Sequence, residues 1–210
     1  MTLARRTLMR RDPVLAGLIR QVGRCGLLVE KHEPYEALVR AIAFQQLHGK
    51  AARTILGRFI DLFPGSDFPA PPQVLATSDA AMRACGFSAG KTASIRDIAA
   101  HAAAGAIPSR RAAARLSDAA LIERLTAIRG VGRWTVEMML MHTLGRPDVL
   151  PVDDFGVREG YRLLHSLSEQ PRPRDLAAIG EAWAPYRSTA AWYLWRAVDV
   201  AKVNRCVRYP

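Results

Sequence analysis

A Gly-x-Gly turn lies within the stretch Leu125-Thr126-Ala127-Ile128-Arg129-Gly130-Val131-Gly132-Arg133-Trp134-Thr135. An apolar helical pattern ends before it near Ile128, and a second pattern runs after it from Arg133 to Leu144. The glycines allow positive φ angles and close approach, and the second helix points unpaired amides and a positive dipole end outward. The stretch predicts a two-helix hairpin that grips a DNA phosphate without reading sequence. Ordinary helix connections use such turns too, so the hairpin alone leaves both interpretations open.

Helical spacing of apolar residues recurs in several further segments, whereas alternating runs of Val, Ile and Thr are scarce. We expect helices to begin at Pro34, Ser78, Ser117 and Ser188, because proline suits a first turn and serine accepts from a free helix amide. The proline-rich segment from Phe63 to Pro72 is expected to be a loop. These patterns predict an all-α protein of roughly nine or ten helices.

The charge balance is compatible with a polyanionic partner and, equally, with a bias in genome composition. The 210 residues include 30 Lys and Arg against 19 Asp and Glu, a formal net charge of +11 at pH 7. Basic groups near phosphates release condensed counterions and bind strongly, although arginine drift in a GC-rich genome would produce the same excess. The three cysteines are widely separated and indicate neither a disulfide framework nor a cysteine metal site. Since no uncharged apolar run is long enough to span a bilayer, we expect no membrane partner.

Paired carboxylates follow the hairpin in Leu150-Pro151-Val152-Asp153-Asp154-Phe155-Gly156-Val157-Arg158, just before another apparent helix. Two more motifs are Phe44-Gln45-Gln46-Leu47-His48-Gly49-Lys50-Ala51-Ala52 and Trp183-Ala184-Pro185-Tyr186-Arg187-Ser188-Thr189-Ala190-Ala191-Trp192-Tyr193-Leu194-Trp195. In their order along the chain, the hairpin and the three segments resemble the helix-hairpin-helix (HhH-GPD) DNA glycosylases, specifically the 3-methyladenine DNA glycosylase II branch. The resemblance covers roughly Pro34 to Trp195.

The resemblance implies the compact, all-helical form of a two-lobed fold, without the N-terminal β domain of some larger relatives. A central lobe from residue 36 to 146 would contain the hairpin. A second lobe would combine both chain ends, residues 1–35 with residues 147–210.

Asp154 matches the catalytic aspartate of the resembled family. Its carboxylate would stabilise the oxocarbenium-like sugar as the base leaves, or orient the attacking water; the alternative is a plain helix cap. We assign that capping role to Asp153, because both acids lie where a cap is expected and only one can face the sugar. Bifunctional relatives carry a lysine where this chain has Trp134, so no Schiff base is expected. Only Cys206 lies near the end that carries four cysteines in relatives with an iron-sulfur cluster, so no such cluster is expected.

A base pocket and a DNA-binding surface are also implied by the resemblance. Alkylation at N3 or N7 makes a purine cationic, which attracts it to electron-rich ring faces. Pocket positions fall on Trp134, Met138, Trp195 and Phe44, and aromatic-rich relatives have tyrosine in place of Met138. All four could instead be core residues. The implied DNA contacts, with Leu47 as the wedge and His48 in the minor groove, are Gln46, Leu47, His48, Lys50, Gly130, Val131, Gly132 and Arg133. A core leucine and a solvated histidine are the alternatives for Leu47 and His48.

The implied activity is that of a monofunctional DNA N-glycosylase, which flips alkylated purines out of double-stranded DNA and hydrolyses the N-glycosidic bond to initiate base excision repair. Its substrates would be 3-methyladenine and 7-methylguanine, with hypoxanthine and ethenoadenine as extra ones. The alternatives are a non-catalytic DNA-structure binder of the same fold, or a glycosylase for oxidised bases or uracil. No cofactor is required, although the carbonyls of Thr126, Ile128 and Val131 could hold Na⁺ or K⁺. We expect a monomer, in the cytoplasm at the nucleoid of a bacterium or in the nucleus of a eukaryote.

Overall fold

Helices make up the regular structure of the computed structural model, which describes residues 1–208, with side chains as far as Val203. No strand occurs in that range, so the predicted all-α class is confirmed. A 3₁₀ turn covers Glu181–Trp183, and the side chain of Cys206 falls outside the described residues. The α-helices are α1 Leu3–Arg11, α2 Pro13–Val22, α3 Pro34–Phe44, α4 Gly49–Asp61, α5 Pro71–Ala76, α6 Asp79–Ala84, α7 Ala89–Ala103, α8 Arg110–Ala113, α9 Asp118–Thr126, α10 Arg133–His142, α11 Phe155–Leu164, α12 Pro173–Gly180 and α13 Arg187–Arg208.

Helix starts follow local capping chemistry at three of the four expected positions. Helix α3 begins at Pro34, and the side chains of Ser78 and Ser117 accept from free amides at the starts of α6 and α9. Ser188 was expected to cap a helix and does not, because α13 begins at Arg187 and the Ser188 hydroxyl bonds elsewhere. The described residues also form more helices than expected, since α5 and α8 are too short to show a period.

The chain divides into two compact units. One is residues 30–144, and the other combines residues 1–29 with the described residues from 145 onward. Within residues 30–144, α7 packs against α3, α5 and α6, and α10 packs against α3 and α9. This unit therefore centres on α7, α3 and α10. No helix of the described chain has the length and apolar character needed to cross a bilayer.

Two glycines of α11 determine how it packs in the other unit. A Cβ built at Gly160 would overlap the Leu194 carbonyl oxygen of α13, and one at Gly156 would lie 2.9 Å from Trp195 Cδ1. Because residues four apart share one face of a helix, these glycines let the α11 backbone lie directly against α13. The close approach brings Trp195 to the N-terminus of α11.

Candidate active site

Asp154 is the N-cap of α11. Its Oδ1 accepts a hydrogen bond of 2.8 Å from the Val157 amide and another of 2.8 Å from Trp195 Nε1. The assignment of the cap to Asp153 was wrong. The Asp154 amide donates to the Pro151 carbonyl in a turn that places Asp154, and not Asp153, directly before the first helical residue. Asp153 is exposed, whereas Asp154 is half-buried.

The cap and the indole hold the Asp154 carboxylate in one orientation at the positive end of the α11 dipole. Both of these hydrogen bonds fall on Oδ1. Capping and catalysis are therefore compatible at this residue, because a cap uses one carboxylate oxygen whereas the negative charge is shared by the two oxygens. Such a fixed anion is suited to stabilising positive charge that develops on a neighbouring group.

The segment before Asp154 is fixed by the Arg187-Ser188 pair. Ser188 Oγ accepts from the Val149 amide at 2.9 Å and donates to the Arg146 carbonyl at 2.7 Å. Arg187 forms a two-pronged ion pair with Asp148, with Nε–Oδ1 at 2.8 Å and Nη2–Oδ2 at 2.9 Å. Desolvation alone would raise the pKa of Asp148, but hydrogen bonds and charge from Arg187 lower it. The pair thus anchors the chain that leads to Asp154.

The hairpin uses its two glycines differently. Gly130 has φ +78°, and a Cβ there would overlap Ser94 Oγ, so this position requires glycine. Gly132 has φ −88° and caps α10, and a Cβ there would meet no atom within 4 Å. The expectation that both glycines serve a positive-φ turn was therefore wrong for Gly132, since the chain is already extended as it enters α10. Val131 is buried, whereas Gly132 is exposed.

Arg133 begins α10 at the exposed side of the hairpin. Its Nε donates to Oε1 of Glu137 at 2.9 Å, and Glu137 is only 2% exposed. A nearly buried carboxylate thus holds an exposed guanidinium in place. Much of the charge of Arg133 is balanced within the protein before any partner binds.

The Gln-Gln-Leu segment forms the turn between α3 and α4. Gln46 has φ +55°, a left-handed conformation that is uncommon for a residue with a side chain. The chain therefore reverses after α3, and Leu47 is 40% exposed, so its interpretation as a core leucine was wrong. His48 is the N-cap residue of α4 without a side-chain capping bond, and Lys50 lies in the first turn, with both exposed. We call residues 45–48 the wedge turn.

Phe44 and Met138 line a cavity of about 290 Å³ within residues 30–144. Phe44 is 37% exposed and Trp134 is 42% exposed, which is not the burial of core side chains, whereas Met138 is half-buried. Polar groups also line the cavity, including His32 and Arg40, which both bond Glu36. The cavity therefore combines an aromatic face with charged groups.

Comparison with known proteins gives the family. Residues 39–185 match the HhH-GPD superfamily of base excision DNA repair proteins. This chain belongs to the HhH-GPD superfamily. It is 47% identical over 193 residues to DNA-3-methyladenine glycosylase 1 of Schizosaccharomyces pombe. The aligned region covers 91% of this chain and 85% of that protein.

Solved structures agree with that assignment. This HhH-GPD protein matches the 3-methyladenine DNA glycosylase of Schizosaccharomyces pombe in complex with abasic DNA with a TM-score of 0.85 at 46% identity, covering 93% of this chain and 96% of that chain. A DNA-3-methyladenine glycosidase from Bacillus halodurans matches with a TM-score of 0.86 at 36% identity, covering 96% and 92%. The predicted family and compact all-helical fold are confirmed.

No sequence motif singled out three residues of α7 in this HhH-GPD protein, namely Lys91, Ser94 and Asp97. Lys91 Nζ donates to the carbonyls of Ala43 and Gln45, and Asp97 accepts from the Arg129 amide. Their only sequence signal is a spacing of three on one helix. Lys91 lies 48 and 46 residues from its two partners, and local periodicity carries no information about such pairs.

Proposed function

We propose that this chain is a DNA N-glycosylase of the 3-methyladenine type, which removes alkylated purines from double-stranded DNA and so initiates base excision repair. It is an enzyme that hydrolyses an N-glycosidic bond, in agreement with the names of its relatives. DNA is its partner, as it is for the Schizosaccharomyces pombe protein of the same fold. The single observation that carries the proposal is the fixed Asp154 carboxylate in a chain of this family.

Asp154 stabilises the sugar as the base departs. The bond between C1′ and the purine nitrogen breaks, its electron pair leaves with the base, and the positive charge left on the sugar faces the carboxylate. A water oxygen then bonds to C1′ and passes one of its two protons to the surrounding water, which leaves an abasic site. A purine already cationic from alkylation leaves as a neutral molecule, so a modest catalyst is sufficient.

Duplex DNA is held by the hairpin and opened by the wedge turn. Exposed amides at the start of α10 bind a phosphate, and the open space before Gly132 lets it approach. Leu47 fills the gap left by the flipped nucleotide, while Gln46, His48 and Lys50 contact the DNA beside it. Three of these four residues carry polar side chains, whereas the residue in the unstacked step is apolar.

Phe44, Trp134 and Met138 bind the departing base. Exposed aromatic faces attract the cationic purine, and a thioether at position 138 makes the pocket less aromatic than tyrosine would. Trp195 donates to the Asp154 carboxylate and orients it. We expect 3-methyladenine and 7-methylguanine as main substrates, with hypoxanthine and ethenoadenine released more slowly.

The reaction stops at the abasic site. Trp134 occupies the position of the Schiff-base lysine of bifunctional relatives, and an indole cannot form that bond. Borohydride added to a reaction on methylated DNA should therefore trap no covalent complex. Size-exclusion chromatography with light scattering tests the accompanying proposal that the enzyme is a monomer.

A monovalent cation fits the hairpin. The last carbonyls of a helix lack donors within it and form its negative end, and α9 ends at Thr126. The Ile128 carbonyl accepts from the Val131 amide at 3.1 Å, and a carbonyl has two lone pairs. Carbonyls of Thr126, Ile128 and Val131 would hold Na⁺ or K⁺, whose charge would strengthen phosphate binding. No cofactor takes part in the bond cleavage itself.

Chromatography of bases freed from methylated DNA tests the proposal. The parent protein should release 3-methyladenine, and Asp154→Asn should slow release at least about a hundredfold while DNA binding remains. Asparagine is as good an N-cap as aspartate, so the variant loses the charge and keeps the α11 cap. Asp153→Asn is the matched control, since it removes an equal charge one residue away at an exposed position.

The same assay separates the rival functions. A parent protein that binds DNA but releases no base from any alkylated substrate would be a non-catalytic DNA-structure binder. Parallel oligonucleotides with 8-oxoguanine or uracil test for the other glycosylase class, and faster release from either than from 3-methyladenine would overturn the proposed substrate.

A further inference from the structure

One side of α7 contacts both DNA-binding elements of residues 30–144. Lys91, Ser94 and Asp97 lie three residues apart on this helix, and each contacts the wedge turn or the hairpin. None of them belongs to the base pocket or to the DNA-contacting residues proposed above. Their contacts with the wedge turn and the hairpin indicate a shared role in positioning these two elements.

Lys91 secures the start of the wedge turn. Its Nζ donates to the Ala43 carbonyl at 2.9 Å and to the Gln45 carbonyl at 2.7 Å, where α3 ends. These terminal carbonyls have no donor within the helix, and a cation at this end also suits the helix dipole. Desolvation by partial burial lowers the pKa of Lys91. The two hydrogen bonds to carbonyls offset the free-energy cost of burying the ammonium group. The next residue is the left-handed Gln46.

Ser94 and Asp97 secure the hairpin. Gly130 approaches Ser94 so closely that a Cβ on the glycine would overlap the serine side chain. Asp97 Oδ2 accepts from the Arg129 amide at 2.7 Å, one residue before that glycine. His101 Nδ1 lies 3.5 Å from the same carboxylate oxygen.

A direct link joins the two elements. Gln45 Nε2 of the wedge turn donates to the Gly130 carbonyl of the hairpin at 3.3 Å. With Lys91 on the turn and Ser94 and Asp97 on the hairpin, these contacts close a ring through α7. The position of each DNA-binding element is therefore fixed relative to the other.

We propose that Lys91, Ser94 and Asp97 form a brace on α7 that sets the spacing between the wedge turn and the phosphate-binding hairpin. Lys91 is a positioning residue in this role and contacts no DNA. The proposal rests on the proposed function for the statement that Leu47 enters the duplex. A wedge displaced relative to a phosphate-bound hairpin would meet the wrong base step, and small displacements cost large factors in rate.

Lys91→Met tests the brace with a probe that does not depend on catalysis. The probe is a duplex with 2-aminopurine next to a tetrahydrofuran abasic analogue, whose fluorescence rises when a wedge unstacks the step. Lys91→Met should lose most of that rise and slow single-turnover base release about tenfold. Lys91→Arg should recover most of both, since a guanidinium can donate to the same two carbonyls.

Salt dependence separates a brace from a phosphate contact. Lys91→Met should leave the salt slope for undamaged duplex unchanged, whereas Lys50→Met should reduce it by about 0.9 for one lost phosphate contact. A slope reduced equally by Lys91→Met would make Lys91 a DNA ligand and overturn the brace. An unchanged fluorescence rise in Lys91→Met would overturn it as well.

Two further results keep the inference distinct from the proposed function. If the parent protein gives the fluorescence rise but releases no base, the glycosylase assignment fails. The fluorescence of Lys91→Met still tests the brace in that case. If Lys91→Met does not fold, Gln45→Leu breaks the ring at its link to Gly130. That variant should lose a comparable part of the fluorescence rise, and parent-like fluorescence from it would overturn the ring.

Discussion

Asp154 and Leu47 are held by different kinds of contact. Asp154 begins a helix whose backbone lies against α13 through Gly156 and Gly160, and there the Val157 amide and the Trp195 indole hold the carboxylate. Leu47 lies in a turn with a local backbone bond from its own amide to the Phe44 carbonyl, and side-chain donors, the Lys91 ammonium and the Gln45 amide, tie this turn to its surroundings. The proposed catalytic carboxylate therefore belongs to tightly packed backbone, whereas the proposed wedge depends on side-chain contacts that single substitutions can loosen.

Alanine at Gly160 should give the largest effect. The added Cβ would overlap a backbone carbonyl of α13, which cannot move without displacing the helix, so we expect a loss of about 4 kcal/mol in unfolding free energy. Gly130→Ala is the counterpart in the hairpin. It combines a strained positive φ with an overlap on Ser94, whose Oγ can rotate away but whose Cβ would lie 2.9 Å from the new methyl group, so about 2 kcal/mol is expected. Urea unfolding measures both, and an equal or reversed order would contradict the contrast between main-chain and side-chain support.

Asp148→Asn tests the anchor before Asp154. Losing one partner of a part-buried, two-pronged pair should cost about 2 kcal/mol at pH 7. Arg187 lowers the pKa of Asp148, so this stabilisation is complete above the unfolded value of about 3.9 and is lost as pH falls through the lower folded pKa. The difference between parent and variant should therefore shrink in acid.

The control for that pair is Asp175→Asn, which breaks an exposed Arg172–Asp175 pair three residues apart in sequence. Urea titrations at several pH values should show no resolvable change in its stability, because exposed pairs are screened by solvent. A constant parent–variant difference for Asp148→Asn down to low pH would contradict its linkage to Arg187.

Gly156→Ala should affect activity more than stability. The added Cβ would lie 2.9 Å from Trp195 Cδ1 and 3.2 Å from Asp154 Oδ1, so it crowds both partners of one hydrogen bond. A shift of the carboxylate by a few tenths of an ångström should reduce single-turnover base release about tenfold, with binding of abasic DNA unchanged. A melting temperature lowered as far as in Gly160→Ala, with full activity per folded molecule, would show that the glycine serves packing alone.

Local chemistry allowed much of this molecule to be predicted from its sequence. The all-α fold followed from helical periodicity, and the motifs around Gly130 and Asp154 gave the family. Sequence could not decide which of Asp153 and Asp154 caps α11, because both have capping side chains and only the turn from Pro151 distinguishes them. The roles assigned to single site residues remain predictions.

Lys91 was missed and Ser188 was misjudged for a related reason. Both bond to segments far away in sequence, Lys91 to the wedge turn and Ser188 to the stretch before Asp154. The local sequence predicts a cap for a serine at a helix start, whichever group its hydroxyl bonds in the fold. For a lysine within a helix it predicts only a solvated charge. Tertiary partners decide such roles, and local patterns do not contain them.

The smallest effect expected is the contrast between Lys50 and Arg133. Lys50→Gln should lower the salt slope of duplex binding by about 0.9, whereas Arg133→Gln should lower it by less, because Glu137 already balances part of the arginine charge. Arg133→Gln should instead reduce stability, since it leaves a carboxylate that is 2% exposed without this partner. Fluorescence anisotropy across a salt series, with thermal melts of both variants, measures the two quantities. Equal slopes and equal melting temperatures would mean that Glu137 does not restrain Arg133 when DNA is bound.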